Sequence, residues 1–180
     1  LMSKIIKKRP DFIKYCQLVA SKERDQLDSL ALAMGYLPTK NEVMNSPYIQ
    51  KSYILMENAI LQSPEVIKYI EPRPLEGAYS NNIDDKQFVD LARLAVENGY
   101  IPIPSDIDQN PRLADSFDIM KLVIAKQPNY LEKCRDRTQN VEKLCQIALE
   151  NGYELPSNLP NFIGDCESII KARVTQNGIL

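Results

Sequence analysis

The sequence predicts an all-α fold, an α-solenoid-like array of about three helical units of 53–64 residues. A helix-ending motif recurs three times without gaps, and a proline-started block recurs in register behind it. The bulk composition agrees with a globular chain: 44% hydrophobic and 26% charged, with 6 Gly against 12 Pro in 180 residues.

The motif is L-x-x-[LI]-A-[LV]-x-x-G-Y, at residues 27–36 (LDSLALAMGY), 91–100 (LARLAVENGY) and 144–153 (LCQIALENGY). Apolar residues at i, i+3, i+4 and i+5 form the broad stripe of an amphipathic helix. Gly35, Gly99 and Gly152 then stand where a helix needs a left-handed residue beyond its last turn. Tyr36, Tyr100 and Tyr153 can fold back on Leu30, Leu94 and Ile147, and Pro38, Pro102 and Pro156 prevent an immediate restart.

A small helix is expected next. Thr39-x-x-Glu42 and Ser105-x-x-Asp108 have the spacing of capping boxes. A long helix follows, from Ser46-Pro47 through Ile60, from Asn110-Pro111 through Ile124, and more loosely from Asn161 through Val174. Ser46 and Asn110 suit its N-cap, and proline at the first helical position loses no hydrogen bond. Ile49, Ser52, Tyr53, Met56 and Ile60 match Leu113, Ser116, Phe117, Met120 and Ile124 as inward positions. The small residue shared by Ser52, Ser116 and Cys166 predicts a close approach of two helices. The short third helix opens at Pro64 or Pro128. Its block, 56–70 and 120–134, aligns with residues 2–16 at the start of the chain, which places Pro10 as a third such opening.

This register divides a single helical-repeat domain, 1–180, into a partial unit 1–16, a unit 17–70, a loop insertion 71–85, a unit 86–134 and a partial unit 135–180. The chain thus opens and closes inside a unit, and a piece of a longer array is expected. The insertion, EPRPLEGAYSNNIDD, is the clear irregularity.

Histidine is absent, which removes imidazole from acid/base catalysis, nucleophile activation and metal ligation. Net charge is −2, with +3 in residues 1–60, −6 in 61–120 and +1 in 121–180, so no overall field draws nucleic acid or an anionic membrane. Lys7-Lys8-Arg9 is a short solvated run. No leader is expected, because the basic residues near the start are not followed by an apolar stretch, and no membrane span, because no apolar run approaches the ~18 residues required. The four cysteines lack metal or redox spacing, and reduced thiols point to a cytoplasmic location. Cys16 and Cys134 share a position with Ile70 and are expected to be small buried hydrophobes.

Each candidate for chemistry has a simpler structural account. The Gly-Tyr tyrosines suit packing better than base stacking, and Met56 and Met120 suit the core. Asp84, Asp85, Asp106, Asp108, Asp115 and Asp118 are the hard-cation candidates, but their spacing fits no calcium loop. Asp106 and Asp108 are better explained as helix-start residues. No catalytic residue, cofactor or metal is therefore expected. The outward positions of the long helix are assigned to Gln50, Lys51, Glu57 and Asn58 in one unit and Asp115, Asp118 and Lys121 in the next. They carry no continuous basic stripe, which favours a protein or peptide partner over nucleic acid. Arg73 and Tyr79 in the insertion are the expected contact residues, being of types that anchor interfaces. The expected function is a non-catalytic module for protein–protein interaction or scaffolding. A nucleic-acid-binding solenoid and a helical accessory domain of a larger enzyme are the alternatives.

Overall fold

The computed structural model describes residues 1–16, 21–70 and 83–176, and every regular element among them is a helix. The protein is all-α. No helix among the described residues is long and apolar enough to cross a membrane. The chain falls into two compact units, Leu1–Tyr100 and Ile101–Leu180, and the division comes directly after the second Gly-Tyr motif.

The first unit contains α1 (Met2–Lys8), the 3-10 helix η1 (Pro10–Tyr15), α2 (Ser21–Ala33), α3 (Lys40–Asn45), α4 (Pro47–Gln50), α5 (Tyr53–Gln62), η2 (Pro64–Tyr69) and α6 (Asp85–Glu97). The second contains α7 (Pro104–Gln109), η3 (Pro111–Asp115), α8 (Phe117–Ile124), η4 (Pro128–Lys133), α9 (Val141–Glu150), α10 (Asn161–Gly164) and α11 (Glu167–Gln176). In the first unit α1, η1 and α2 pack mutually, and so do α5, η2 and α6; in the second unit α8, η4 and α9 do the same. Each trio closes on fully buried aliphatic side chains, such as Ile6, Ile13 and Ala31 in the first and Met120, Leu131 and Leu144 in the third. Helix α2 also packs on α5, and α9 on α11.

All three Gly-Tyr motifs close their helices in one way. Gly35, Gly99 and Gly152 have φ of +85°, +95° and +86°. Each glycine N–H donates to the carbonyl three residues earlier, and each tyrosine N–H donates to the carbonyl of Ala31, Ala95 or Ala148 at 2.9–3.0 Å, the Schellman pattern. The buried stripe is narrower than the spacing predicts. Leu27, Leu91 and Leu144 and the alanines at i+4 are buried, whereas Leu30, Leu94 and Ile147 are half-buried.

The long helix is not continuous. It breaks at Ser52, Ser116 and Cys166, the shared small position. Ser52 and Ser116 lie in the extended region (φ −96° and −90°), and their hydroxyls accept from the N–H groups of Leu55 and Ile119, capping the second half of the helix. A hydroxyl that competes for backbone donors turns what reads as a helix interior into a helix start. The inward residues on either side are nevertheless buried, except Tyr53 and Phe117, which are half-buried.

The break also overturns two outward assignments. Gln50 is buried, its amide donating to the Val43 carbonyl at 2.7 Å. Asp115 is buried too, with Arg135 Nε at 3.6 Å and Arg137 Nε at 3.1 Å from its carboxylate. Gln50 and Asp115 therefore do not belong to the outward set of the long helix. Of the two capping boxes, the one at Thr39 and Glu42 forms. The second helix starts earlier than the spacing suggests: Pro104 is its first residue, and Asp106 Oδ2 accepts from the Ile103 N–H at 3.2 Å. Asp108 consequently lies near the helix end, accepting from the Tyr130 hydroxyl at 2.8 Å and pairing with Lys133 at 3.2 Å.

Candidate functional site

The first unit carries an open groove of about 460 Å³ between η1 and the α3–α4 corner. Lys14 and Tyr15 line it from η1, Asn41, Glu42 and Asn45 from α3, and Ser46, Pro47 and Tyr48 from the corner. The local sequence builds these walls. Pro10 opens η1, and the Thr39 capping box starts α3 with its Glu42 side turned back over the helix start. The Ser46 hydroxyl caps α4 and also donates to the Lys14 carbonyl at 3.3 Å, joining the walls at the base.

Lys14 Nζ and Glu42 Oε1 are 2.6 Å apart. Glu42 also accepts from the N–H and hydroxyl of Thr39, each at 3.0 Å. Burial opposes charge on Glu42, but Lys14 and Thr39 together hold its carboxyl below the ordinary range. The hydrogen bond to Glu42 raises the Lys14 ammonium. This pair stays charged across the neutral range. Tyr15 is 66% exposed, and its ring meets Phe12 edge to face at a 5.8 Å centroid separation. Asn41 and Asn45 also line the groove as exposed residues, the Asn45 amide donating to the Asn41 carbonyl at 2.7 Å, so the groove offers an aromatic ring and polar side chains.

Beneath it lies a buried polar group. Tyr48 lines the groove and donates its hydroxyl to Asp28 Oδ1 at 2.8 Å, the Ser52 hydroxyl donates to Asp28 Oδ2, and the Arg24 guanidinium lies 4.3 Å from the Tyr48 ring centroid. Asp28 is completely buried; burial raises its carboxyl, and the hydrogen bonds from Ser52 and Tyr48 offset only part of the rise. Burial likewise raises the Tyr48 phenol. The cluster ties α2 to α4 and α5 and holds the groove floor in place.

The expected contact residues, Arg73 and Tyr79, lie outside the described residues. Tyr36, Tyr100 and Tyr153 are buried, as packing requires, and present no ring for stacking. Cys16 and Cys134 are buried, as is Ile70 in the same position. Asp84 caps α6, Asp85 and Asp118 lie in first helical turns, and no group of three or more acidic or thiol ligands among the described residues can hold a metal ion. Arg9 pairs with Asp11 and lies 5.1 Å from the Phe12 ring centroid.

The groove escaped the sequence reading because its walls come from two elements about thirty residues apart. One signal was available. Asp28 stands inside the repeated helix stripe where the other copies have Ala92 and Cys145, and an acid replacing a small apolar residue marks a buried polar contact. No family model, curated protein or solved structure matches the chain.

Proposed function

We propose that this chain is a non-catalytic, α-solenoid-like module that binds a protein partner, with the η1–α3–α4 groove taking an extended segment of that partner. The groove is the observation that carries the reading: Tyr15, 66% exposed, lines it from η1, and the exposed Asn41 and Asn45 line it from α3. An aromatic wall takes apolar or proline side chains, and amides meet the backbone N–H and C=O groups of an extended strand. Lys14 and Glu42 line the groove as a mutually neutralised ion pair, a match for a neutral segment rather than a polyanion.

Three things support the array. The Gly-Tyr, proline and small-residue motifs share one register. The same trio of elements closes three times, and the helix that ends in Gly-Tyr packs on the second half of the broken helix that follows it, α2 on α5 and α9 on α11. Stacking of this kind buries helical faces that no single unit could cover. Unpaired, buried cysteines fit a reducing, cytoplasmic setting.

The test is selection of a random-peptide phage library on the full chain, followed by fluorescence anisotropy with the enriched peptides. Binding that weakens tenfold or more in Tyr15→Ala and in Asn45→Ala is expected. Enriched peptides that bind both variants as tightly as the parent, or a chain that selects none and instead binds poly-U RNA at 150 mM salt, would overturn the reading.

A further inference from the structure

In the second unit Cys145 and Cys166 occupy the register positions that Asp28 and Ser52 hold in the first. At those positions in the first unit the Ser52 hydroxyl donates to the Asp28 carboxylate, so the register brings the Gly-Tyr helix side chain against that of the helix-breaking residue. The backbone around Cys166 is bonded as it is around Ser52. Ser52 N–H donates to Ile49 and Cys166 N–H to Ile163, while their own carbonyls accept from Met56 and Ile170. Helix α9 packs on α11 as α2 packs on α5. Both thiols are free and buried, and Cys166 Sγ lies 3.4 Å from the Phe162 carbonyl, to which it donates.

We propose that Cys145 and Cys166 form a disulfide site, closed by a peroxide, that clamps α9 to α11 where the first unit uses the Asp28–Ser52 hydrogen bond. Cys166 is the attacking sulfur, because it keeps 8% of its surface open to a small oxidant whereas Cys145 is completely buried. Burial raises both thiols; the contact between them holds the proton on Cys145 and offsets part of the rise at Cys166, which Glu142 and Asp165 add to. The Cys166 thiolate attacks the O–O bond of hydrogen peroxide, forming a sulfenic acid and releasing hydroxide, which takes up a proton to become water. Cys145 sulfur then attacks the sulfenic sulfur; the S–S bond forms, the S–O bond breaks and the hydroxyl leaves as a second water with the Cys145 proton. Two thiols are oxidised and one peroxide is reduced to two waters. Because the reacting sulfur is a buried thiol, closure is slow and accelerates as pH rises.

Cys134 is the competing partner, because it shares the electrostatic neighbourhood of both thiols. The experiment treats the native full chain with hydrogen peroxide, alkylates the remaining thiols under denaturing conditions, and maps tryptic peptides without reduction. Cleavage after Lys143 and Lys171 leaves Cys145 and Cys166 in one peptide, 144–171, apart from Cys134. The expected product is that peptide lighter by two hydrogens, carrying no alkyl group, and restored by dithiothreitol. Cys134→Ser leaves the product unchanged. Cys145→Ala copies Ala92 at the same register position, keeps the fold by circular dichroism, and yields a Cys166 sulfenic acid that dimedone traps. A peptide 144–171 that stays fully alkylated after peroxide, or one joined to Cys134, would overturn the proposal.

Discussion

Replacing Gly152 by alanine isolates the left-handed helix end from every other effect. Gly152 has φ +86°, and a Cβ built there meets no heavy atom within 4 Å. The substitution therefore adds no clash, and its whole cost is backbone strain plus the change in the unfolded chain. A left-handed residue with a Cβ costs about 1–2 kcal/mol. Alanine also restricts the unfolded chain, which returns about 0.4–1 kcal/mol. The difference is a net loss of about 1 kcal/mol, on the order of 2–4 °C in Tm for a chain of this size. Gly164 supplies the control within the same unit. It ends α10, has no positive φ, and its Cβ would also meet nothing within 4 Å. Gly164→Ala should be neutral or stabilising by a few tenths of a kcal/mol. Urea melts of both variants, followed by circular dichroism at 222 nm, measure the difference. Equal midpoints for Gly152→Ala and Gly164→Ala would refute the assignment of the Gly-Tyr motif as a helix terminator.

Two further outcomes follow from the buried side chains. Met120 is completely buried in the trio of α8, η4 and α9, so Met120→Ala should cost about 2–5 kcal/mol in urea melts. Asp28 controls a pH dependence whose sign is fixed by its burial. Its folded pKa lies above the unfolded value of 3.8, so the native state binds the proton more readily. The stability this contributes is complete below the unfolded value and is lost as pH rises through the folded pKa. An amide in its place does not titrate. The Asp28→Asn variant should therefore gain on the parent between pH 4 and pH 7 in urea midpoint, and a difference that stays constant or reverses would remove Asp28 from the account. Glu42, whose pKa is lowered, contributes the opposite slope in both proteins and cancels in the comparison.

The Gly-Tyr helix ends were legible in the sequence because they are local. A glycine, the five residues before it and the tyrosine after it contain every donor and acceptor of the Schellman pattern. Burial of Met56, Met120 and the Cys16/Cys134 slot was equally legible, since repetition in one register identifies the apolar positions. The helix break was not. Ser52 and Ser116 fall at helical spacing, and a serine at that spacing reads as a small contact residue until its hydroxyl is seen to accept from Leu55 or Ile119. Asp115 misled for a related reason: an acid within a short proline-started segment reads as solvated, and only Arg135 and Arg137 show what compensates its burial.

The sequence by itself determined the all-helical class, the Gly-Tyr helix ends and the apolar register, because each depends on the conformational preferences of residues within one or two turns. Tertiary structure alone decided the groove and the Asp28 cluster. These depend on which side chains face each other across about twenty to thirty residues of chain, and that pairing is settled by how helices pack, which no local preference encodes.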